Sequence, residues 1–158
     1  MKLKHPHAII LSGLLWMGAG IMLLSKGTKH LINALNGMEN GSGQNLILIK
    51  VFEKISGNPK TGVSALITVA FVLGFLKGRV VLKKSVERVV ERIRSLPSPF
   101  SVSKIYALKY YLLIGLMVFI SLIFKILPLP VDIKGFIDFA IGIALVNGAM
   151  LYFRSAYL

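Results

Sequence analysis

Long apolar runs that are continuous, not alternating, dominate the pattern of the chain. A helix needs roughly 20 predominantly apolar residues to cross a bilayer core of about 30 Å. Only helices or closed barrels satisfy every backbone polar group in lipid, and a barrel strand would alternate apolar and polar positions. The chain therefore predicts an all-α membrane protein, a bundle of four transmembrane helices. The predicted spans are 8–25, 63–82, 110–127 and 136–153.

Composition supports this class and excludes several others. The 158 residues are 55% hydrophobic and 16% charged, whereas soluble domains carry about 25% charged residues. The net charge of +13 accompanies apolar runs too long for a soluble core, which excludes a disordered polycation and disfavours a nucleic-acid partner. The chain has no cysteine, so disulfides, iron–sulfur clusters and cysteine-type zinc sites are excluded. We predict no cofactor.

The distribution of cations predicts the orientation. An even number of spans places both termini on one side, and the positive-inside rule favours the side with more Lys and Arg in short loops. With the termini inside, every arginine falls inside and the inner cations outnumber the outer ones. We expect an integral protein of the inner or plasma membrane, with both termini in the cytoplasm.

An outer loop over 26–62 is predicted to contain a short interfacial helix. The apolar face of the first span continues to about Leu35, and the Gly/Asn-rich stretch 36–45 breaks it. The next stretch, 46–55, is apolar but too short to span, so we expect an interfacial or re-entrant helix; a buried strand is the alternative. The expected buried face consists of Leu48, Val51, Phe52 and Ile55.

The second span is predicted to continue without a break as a cytoplasmic amphipathic helix over 82–96. Its apolar stripe is Leu82, Val86, Val89, Ile93 and Leu96. Its other face is basic, with candidate contacts to anionic lipid at Lys83, Lys84, Arg88, Arg92 and Arg94. Three interpretations stay open: the helix lies on an anionic lipid surface, its stripe pairs with a second copy or a partner, or the helix folds back on the protein itself.

Two ladders of small residues repeat along the chain. One is Ala70, Gly74 and Gly78 in the second span; the other is Ala140, Ala144 and Gly148 in the fourth. Small residues four apart let helix backbones approach closely in lipid. The shared spacing suggests two tandem helical hairpins, spans one–two and three–four. The ladders are predicted to pack helices.

Few residues within the predicted spans have ionisable or polar side chains that could bind an ion or a substrate. Asp138 and Asn147 lie inside the fourth span, and Lys125 or Lys134 could pair with Asp138 at the outer helix ends. These four residues form either a polar membrane site or an interfacial salt bridge with a packing hydrogen bond. No set of metal ligands or catalytic groups converges, and we expect no histidine in the same leaflet as Asp138.

The sequence therefore predicts a non-enzymatic integral membrane protein. We expect it to act as a homo-oligomer or as a subunit of a membrane complex, with a basic cytoplasmic surface facing anionic phospholipids of the bilayer. The alternative is a small transporter, channel or lipid carrier with a path along the small-residue seam of spans two and four.

Overall fold

The computed structural model describes residues 2–40, 46–97, 100–101, 123 and 126–157. Most of these residues are helical, and β1 (Lys2–Leu3) pairs antiparallel with β2 (Phe100–Ser101). The helical elements, in chain order, are α1 (His5–Glu39), α2 (Leu48–Ser56), α3 (Pro59–Lys77), a π-helical turn (Gly78–Leu82), α4 (Lys83–Ser95) and α5 (Val131–Tyr157).

Within the described residues, three helical stretches are long and apolar enough to cross a membrane, which agrees with an integral membrane protein. They are His5–Glu39, Lys60–Ser95 and Val131–Tyr157. They correspond to the first, second and fourth predicted spans. The remaining predicted span, 110–127, lies outside the described residues except at positions 123, 126 and 127. The count of four helices and their bundle therefore stay predictions.

The first helix is longer than its apolar run. With 35 residues, α1 measures about 52 Å, well beyond the thickness of a bilayer core. Pro6 stands in its first turn, where the missing N–H costs no hydrogen bond. The helix continues to Glu39, so the first part of the predicted outer loop, 26–62, is helix.

α5 lies at the centre of the described structure. Gly27 of α1 packs against Gly135 and Phe139 near the start of α5, and Gly13 packs against Tyr152 near its end, so α1 and α5 are antiparallel. α3 packs along another face of α5 and runs parallel to it. α1 meets α3 only marginally. The hypothesis of two tandem hairpins also needs the third predicted span and stays a prediction; within the described residues, α1 packs mainly on α5.

Two apolar clusters close the two ends of this assembly. At the end that holds both termini, which we call the termini end, the buried side chains are Ala8, Ile9, Val86, Val89, Val90, Ile93 and Tyr152. At the opposite end, which we call the loop end, they are Leu31, Ala34, Leu46, Ile49, Val63 and Leu66. Each cluster packs together helices that are distant in sequence, so the two clusters determine how the long helices pack at the two ends.

The short helix α2 exists as predicted, but its buried face differs from the expected one. Ile49 is fully buried, and Leu48 and Phe52 pack partly against the same cluster. Val51 and Ile55, expected on the buried face, are 52% and 78% exposed. The expected face was wrong because the apolar side of α2, opposite Lys50, Glu53 and Lys54, is wide, and contact with α1 and α3 buries only the part around Ile49.

A chain reversal separates α2 from α3. Gly57 ends α2 with φ of 73°, a left-handed conformation that favours glycine. The Asn58 side chain then accepts a hydrogen bond from the Lys60 N–H at 3.0 Å, which caps α3. Pro59 follows in the first turn of α3, where its fixed φ suits a helix start.

The predicted unbroken helix from the second span to residue 96 contains a π-helical turn at Gly78–Leu82. A π turn adds one residue to the helical repeat, which rotates the following face by about 100°. After this turn, the apolar stripe of α4 faces α1 and α5. The sequence pattern on either side of the turn did not reveal this extra residue.

Candidate functional site

The apolar stripe of α4 is buried within the same chain. Val86, Val89 and Ile93 are at most 2% exposed and pack with Ala8 of α1 and Tyr152 of α5. The side chain of His5 at the start of α1 also donates a hydrogen bond to the Leu96 carbonyl, at 2.8 Å. The stripe is therefore not a free surface for a second copy. Of the three interpretations given above, the one in which the helix folds back on the protein itself describes this face.

The basic side of α4 points away from the protein. Its exposed cations are Lys83, Lys84, Arg88, Arg92 and Arg94. Lys83 lies 3.8 Å from Glu87, but both side chains are more than half exposed, so this pair contributes little to stability. Arg94 donates to the Ser155 carbonyl at 2.9 Å, which ties the end of α4 to the end of α5.

Two further cations extend this surface. Lys4 precedes α1 and Arg154 lies in the last turn of α5, and both are exposed at the termini end. The cations on α4 outnumber its acids, Glu87 and Glu91, so the surface is positive. We call this set the basic surface: Lys4, Lys83, Lys84, Arg88, Arg92, Arg94 and Arg154.

The two small-residue ladders meet each other. A Cβ on Gly74 would collide with the Ala140 carbonyl oxygen, and a Cβ on Gly78 would lie 2.9 Å from the Ala144 Cα. Ala70 is fully buried. Gly148, the last position of the second ladder, faces the Trp16 ring of α1. At these positions the α3 and α5 backbones touch, so the seam leaves no space between them.

A second glycine seam, between α1 and α5, was not anticipated. Gly13, Gly20 and Gly27 of α1 are seven residues apart, and so are Gly135 and Gly142 of α5. A Cβ on Gly20 would lie 3.0 Å from the Gly142 carbonyl oxygen, and one on Gly27 would lie 2.6 Å from the Phe139 nitrogen. The seven-residue repeat of glycine was the signal in the sequence that could have revealed this contact.

Asp138 lies near two basic residues of α1. Lys26 and His30 are close enough to act electrostatically on its carboxylate. The expectation of no histidine near Asp138 does not hold, because the antiparallel packing of α1 on α5 brings His30 close to this carboxylate. Among the described residues the ion pairs are Lys60–Glu39 and Lys83–Glu87, so Lys134 does not pair with Asp138. Lys125 lies outside the described residues.

Asn147 bridges two helices. Its side-chain amide donates to the Phe75 carbonyl of α3 at 3.2 Å. That carbonyl lies just before the π-helical turn, where the regular hydrogen-bond ladder changes its spacing. For Asn147, the sequence left open a polar membrane site or a packing hydrogen bond, and this contact corresponds to the packing hydrogen bond.

Asp132 is the buried polar group that sequence reasoning missed. Its side chain is fully buried, and one carboxylate oxygen accepts hydrogen bonds from the N–H groups of Leu48 at 2.6 Å and Ile49 at 3.1 Å. The other oxygen accepts from the Ile133 N–H at 2.9 Å. Asp132 thus caps the start of α2 from another helix. An acid in the first turn of α5, after Pro130, was its only local signal.

The part of the chain that the structure describes holds no group of three or more potential metal ligands. No protein-family model, no curated protein and no solved structure matches the chain. The candidate site is therefore defined by its own geometry: a basic surface at the termini end, two closed glycine seams, and a carboxylate that caps α2 at the loop end.

Proposed function

We propose that this chain is a non-enzymatic integral membrane protein whose basic surface binds anionic phospholipid in the cytoplasmic leaflet. One observation carries the proposal: the apolar stripe of α4 is buried against α1 and α5, while Arg88 and Arg92 are exposed. A helix held in this way presents its cations at the end of the membrane-spanning helices, where head groups lie.

The charge of the basic surface is large enough for such binding. A lysine or arginine near an anionic membrane surface contributes about 1 kcal/mol. The surface combines cations from α4 with Lys4 and Arg154, so several contributions add. The positive-inside rule favours a cytoplasmic location for this end, and anionic lipids are enriched in the cytoplasmic leaflet.

Assembly with other chains is a separate part of the proposal. We expect a homo-oligomer or a subunit of a membrane complex, but the ladders and the α4 stripe that suggested it are occupied within one chain. Support for assembly therefore has to come from experiment. Cross-linking in native membranes is the direct measurement, and a population of monomers without a cross-linked partner would contradict it.

The alternative function, a transport path along the seam of spans two and four, has no supporting observation. Gly74 and Gly78 lie in contact with the α5 backbone, so a solute or ion has no room between the two helices there. We therefore do not favour a transporter, channel or lipid carrier.

The test compares charge removal with charge retention on the purified full chain. In the first variant, Lys84→Gln, Arg88→Gln and Arg92→Gln are combined; in the control, Arg88→Lys and Arg92→Lys keep both charges. Phosphatidylglycerol binding is measured in detergent by native mass spectrometry, with phosphatidylcholine as the neutral lipid. At about 1 kcal/mol per cation, the first variant loses about 100-fold in affinity for phosphatidylglycerol.

The outcome that contradicts the proposal is specific. If the glutamine variant keeps its preference for phosphatidylglycerol, the basic surface is not the lipid site. If the lysine control loses the preference as strongly as the glutamine variant, the arginines act through packing or geometry and not through charge. Binding that fails to weaken as salt rises would also contradict an electrostatic contact.

A further inference from the structure

The outward side of α2 combines apolar and basic residues. Ile47, Val51 and Ile55 follow one another at four-residue intervals and are 53%, 52% and 78% exposed. Lys50 and Lys54 each precede one of them and are also exposed. At about 100° per residue, the three apolar side chains form one flank of α2 and the two lysines the adjacent flank. We call this set the α2 outer face.

The opposite side of α2 is fixed to the protein. Ile49 is fully buried in the loop-end cluster, and the Asp132 carboxylate accepts the N–H groups of Leu48 and Ile49. An anionic cap at a helix N-terminus satisfies unpaired amides and opposes the helix dipole. α2 is therefore held in one orientation, and its outer face stays outward.

The position of α2 along α5 places it about one membrane thickness from Arg154, at the far end of the basic surface. Asp132 contacts the start of α2, and Arg154 belongs to the basic surface. The helical rise between these two residues of α5 is about 33 Å, close to the roughly 30 Å thickness of the hydrocarbon core. If Arg154 lies at one boundary of the hydrocarbon, α2 lies at the other.

We infer that the α2 outer face is a second lipid contact, at the bilayer surface opposite the basic surface. Ile47, Val51 and Ile55 insert at the boundary between head groups and acyl chains, and Lys50 and Lys54 bind the phosphate groups of phospholipids. This arrangement of apolar and basic flanks is typical of helices that lie in the membrane interface. The inference requires that α5 crosses the bilayer, but it does not depend on lipid binding at the basic surface.

Asp132 acts here as a positioning residue. It touches no lipid, but it fixes the rotation of α2 about its axis and so determines which side chains face the membrane. Asp132→Asn keeps one side-chain oxygen to accept the Leu48 and Ile49 N–H groups, although its amide nitrogen no longer accepts from Ile133; Asp132→Ala leaves α2 without this cap. The two variants therefore separate the role of the cap from the loss of charge.

The experiment uses single-cysteine spin labels, which the cysteine-free chain allows. Val51→Cys is labelled in the full chain, reconstituted in vesicles of equal parts phosphatidylcholine and phosphatidylglycerol. Label accessibility is measured to oxygen, which partitions into lipid, and to a water-soluble nickel complex. Leu73→Cys, on an exposed part of α3 within the span, is the lipid reference, and Lys60→Cys, at the start of α3, is the aqueous reference.

We expect the Val51 label to be more accessible to oxygen than to nickel, at a depth between the two references. The preference for oxygen should persist in Asp132→Asn and be lost in Asp132→Ala. In Lys50→Gln combined with Lys54→Gln, nickel accessibility at Val51 should increase.

Two results would overturn the inference. Accessibility to nickel equal to that at Lys60 would place the α2 outer face in water. Low accessibility to both reagents would show that protein, such as a second copy of the chain, covers this face. Because the label reports on α2 alone, either result leaves the test of the basic surface unaffected.

Discussion

The glycine seam between α1 and α5 makes a quantitative prediction for a set of three Gly→Ala substitutions. A Cβ on Gly27 would lie 2.6 Å from the Phe139 nitrogen and 2.9 Å from its Cα, so two backbones would have to separate. A Cβ on Gly13 would lie 2.6 Å from the Phe153 ring edge, which a side-chain rotation can relieve. A Cβ on Gly18 has nothing within 4 Å. The same Gly→Ala change therefore places a Cβ against backbone at Gly27, against a side chain at Gly13 and in open space at Gly18.

The magnitudes follow from two opposing effects. Alanine stabilises a helix by about 1 kcal/mol relative to glycine. Overpacking in a closely packed interface costs about 1–3 kcal/mol. Gly18→Ala should therefore raise the free energy of unfolding by up to about 1 kcal/mol, while Gly27→Ala should lower it by up to about 2 kcal/mol. Gly13→Ala should fall between them, near the wild-type value.

The assay is equilibrium unfolding of the purified protein in mixed micelles, as the fraction of denaturing detergent rises. The single tryptophan provides the signal, because Trp16 of α1 packs edge-on against Tyr152 of α5 with ring centroids 5.6 Å apart. Circular dichroism measures helix loss in parallel. The reasoning fails if Gly27→Ala is as stable as Gly18→Ala, since the α1–α5 backbones would then not be in contact.

Three further predictions use the same unfolding assay. Ile93→Ala empties a fully buried position between α4 and its neighbours, so it should lower the free energy of unfolding by about 2–5 kcal/mol. A decrease below about 1 kcal/mol would mean that α4 does not pack against α1 and α5. Asn147→Ala removes the hydrogen bond to the Phe75 carbonyl, so it should lower the free energy of unfolding by about 0.6–1.7 kcal/mol. An unchanged free energy of unfolding would show that this hydrogen bond does not contribute to stability. Lys83→Ala breaks an ion pair between side chains 61% and 53% exposed and should change stability by less than about 0.5 kcal/mol, with a larger loss pointing to a contact beyond this pair.

Composition and periodicity predicted the coarse features of the fold because a chain in lipid can satisfy its backbone hydrogen bonds in few ways. An apolar run free of charge, such as 8–25, has to be helical to satisfy its backbone in a membrane. Within 82–96, the periodicity included Val86, Val89 and Ile93, which are buried on α4, but it left out the buried Val90. These features depend on residues near one another in sequence, and periodicity captures such local relations well.

The contacts that position the candidate sites could not be predicted in this way. Asp132 lies 84 residues from Leu48, whose N–H it accepts, so no local pattern links the two. On α2, the choice between Ile49 and Val51 as the buried residue depends on where α1 and α3 lie. The π-helical turn at Gly78–Leu82 also has no distinct composition; it becomes visible only as a change of hydrogen-bond spacing.

The two seams on α5 explain why this helix organises the described structure. Lipid removes the hydrophobic gain from burying one apolar side chain against another, so close backbone contact and packing have to bring helices together. Gly135 and Gly142, seven residues apart, hold α1 along much of α5, because a seven-residue repeat returns to nearly the same face. Ala140 and Ala144, four residues apart, meet α3 over a shorter contact on another face. Larger side chains of α5 also lie in these contacts, such as Val146 against Gly20 and Ile143 against Gly74, and they fit because the facing residue is a glycine.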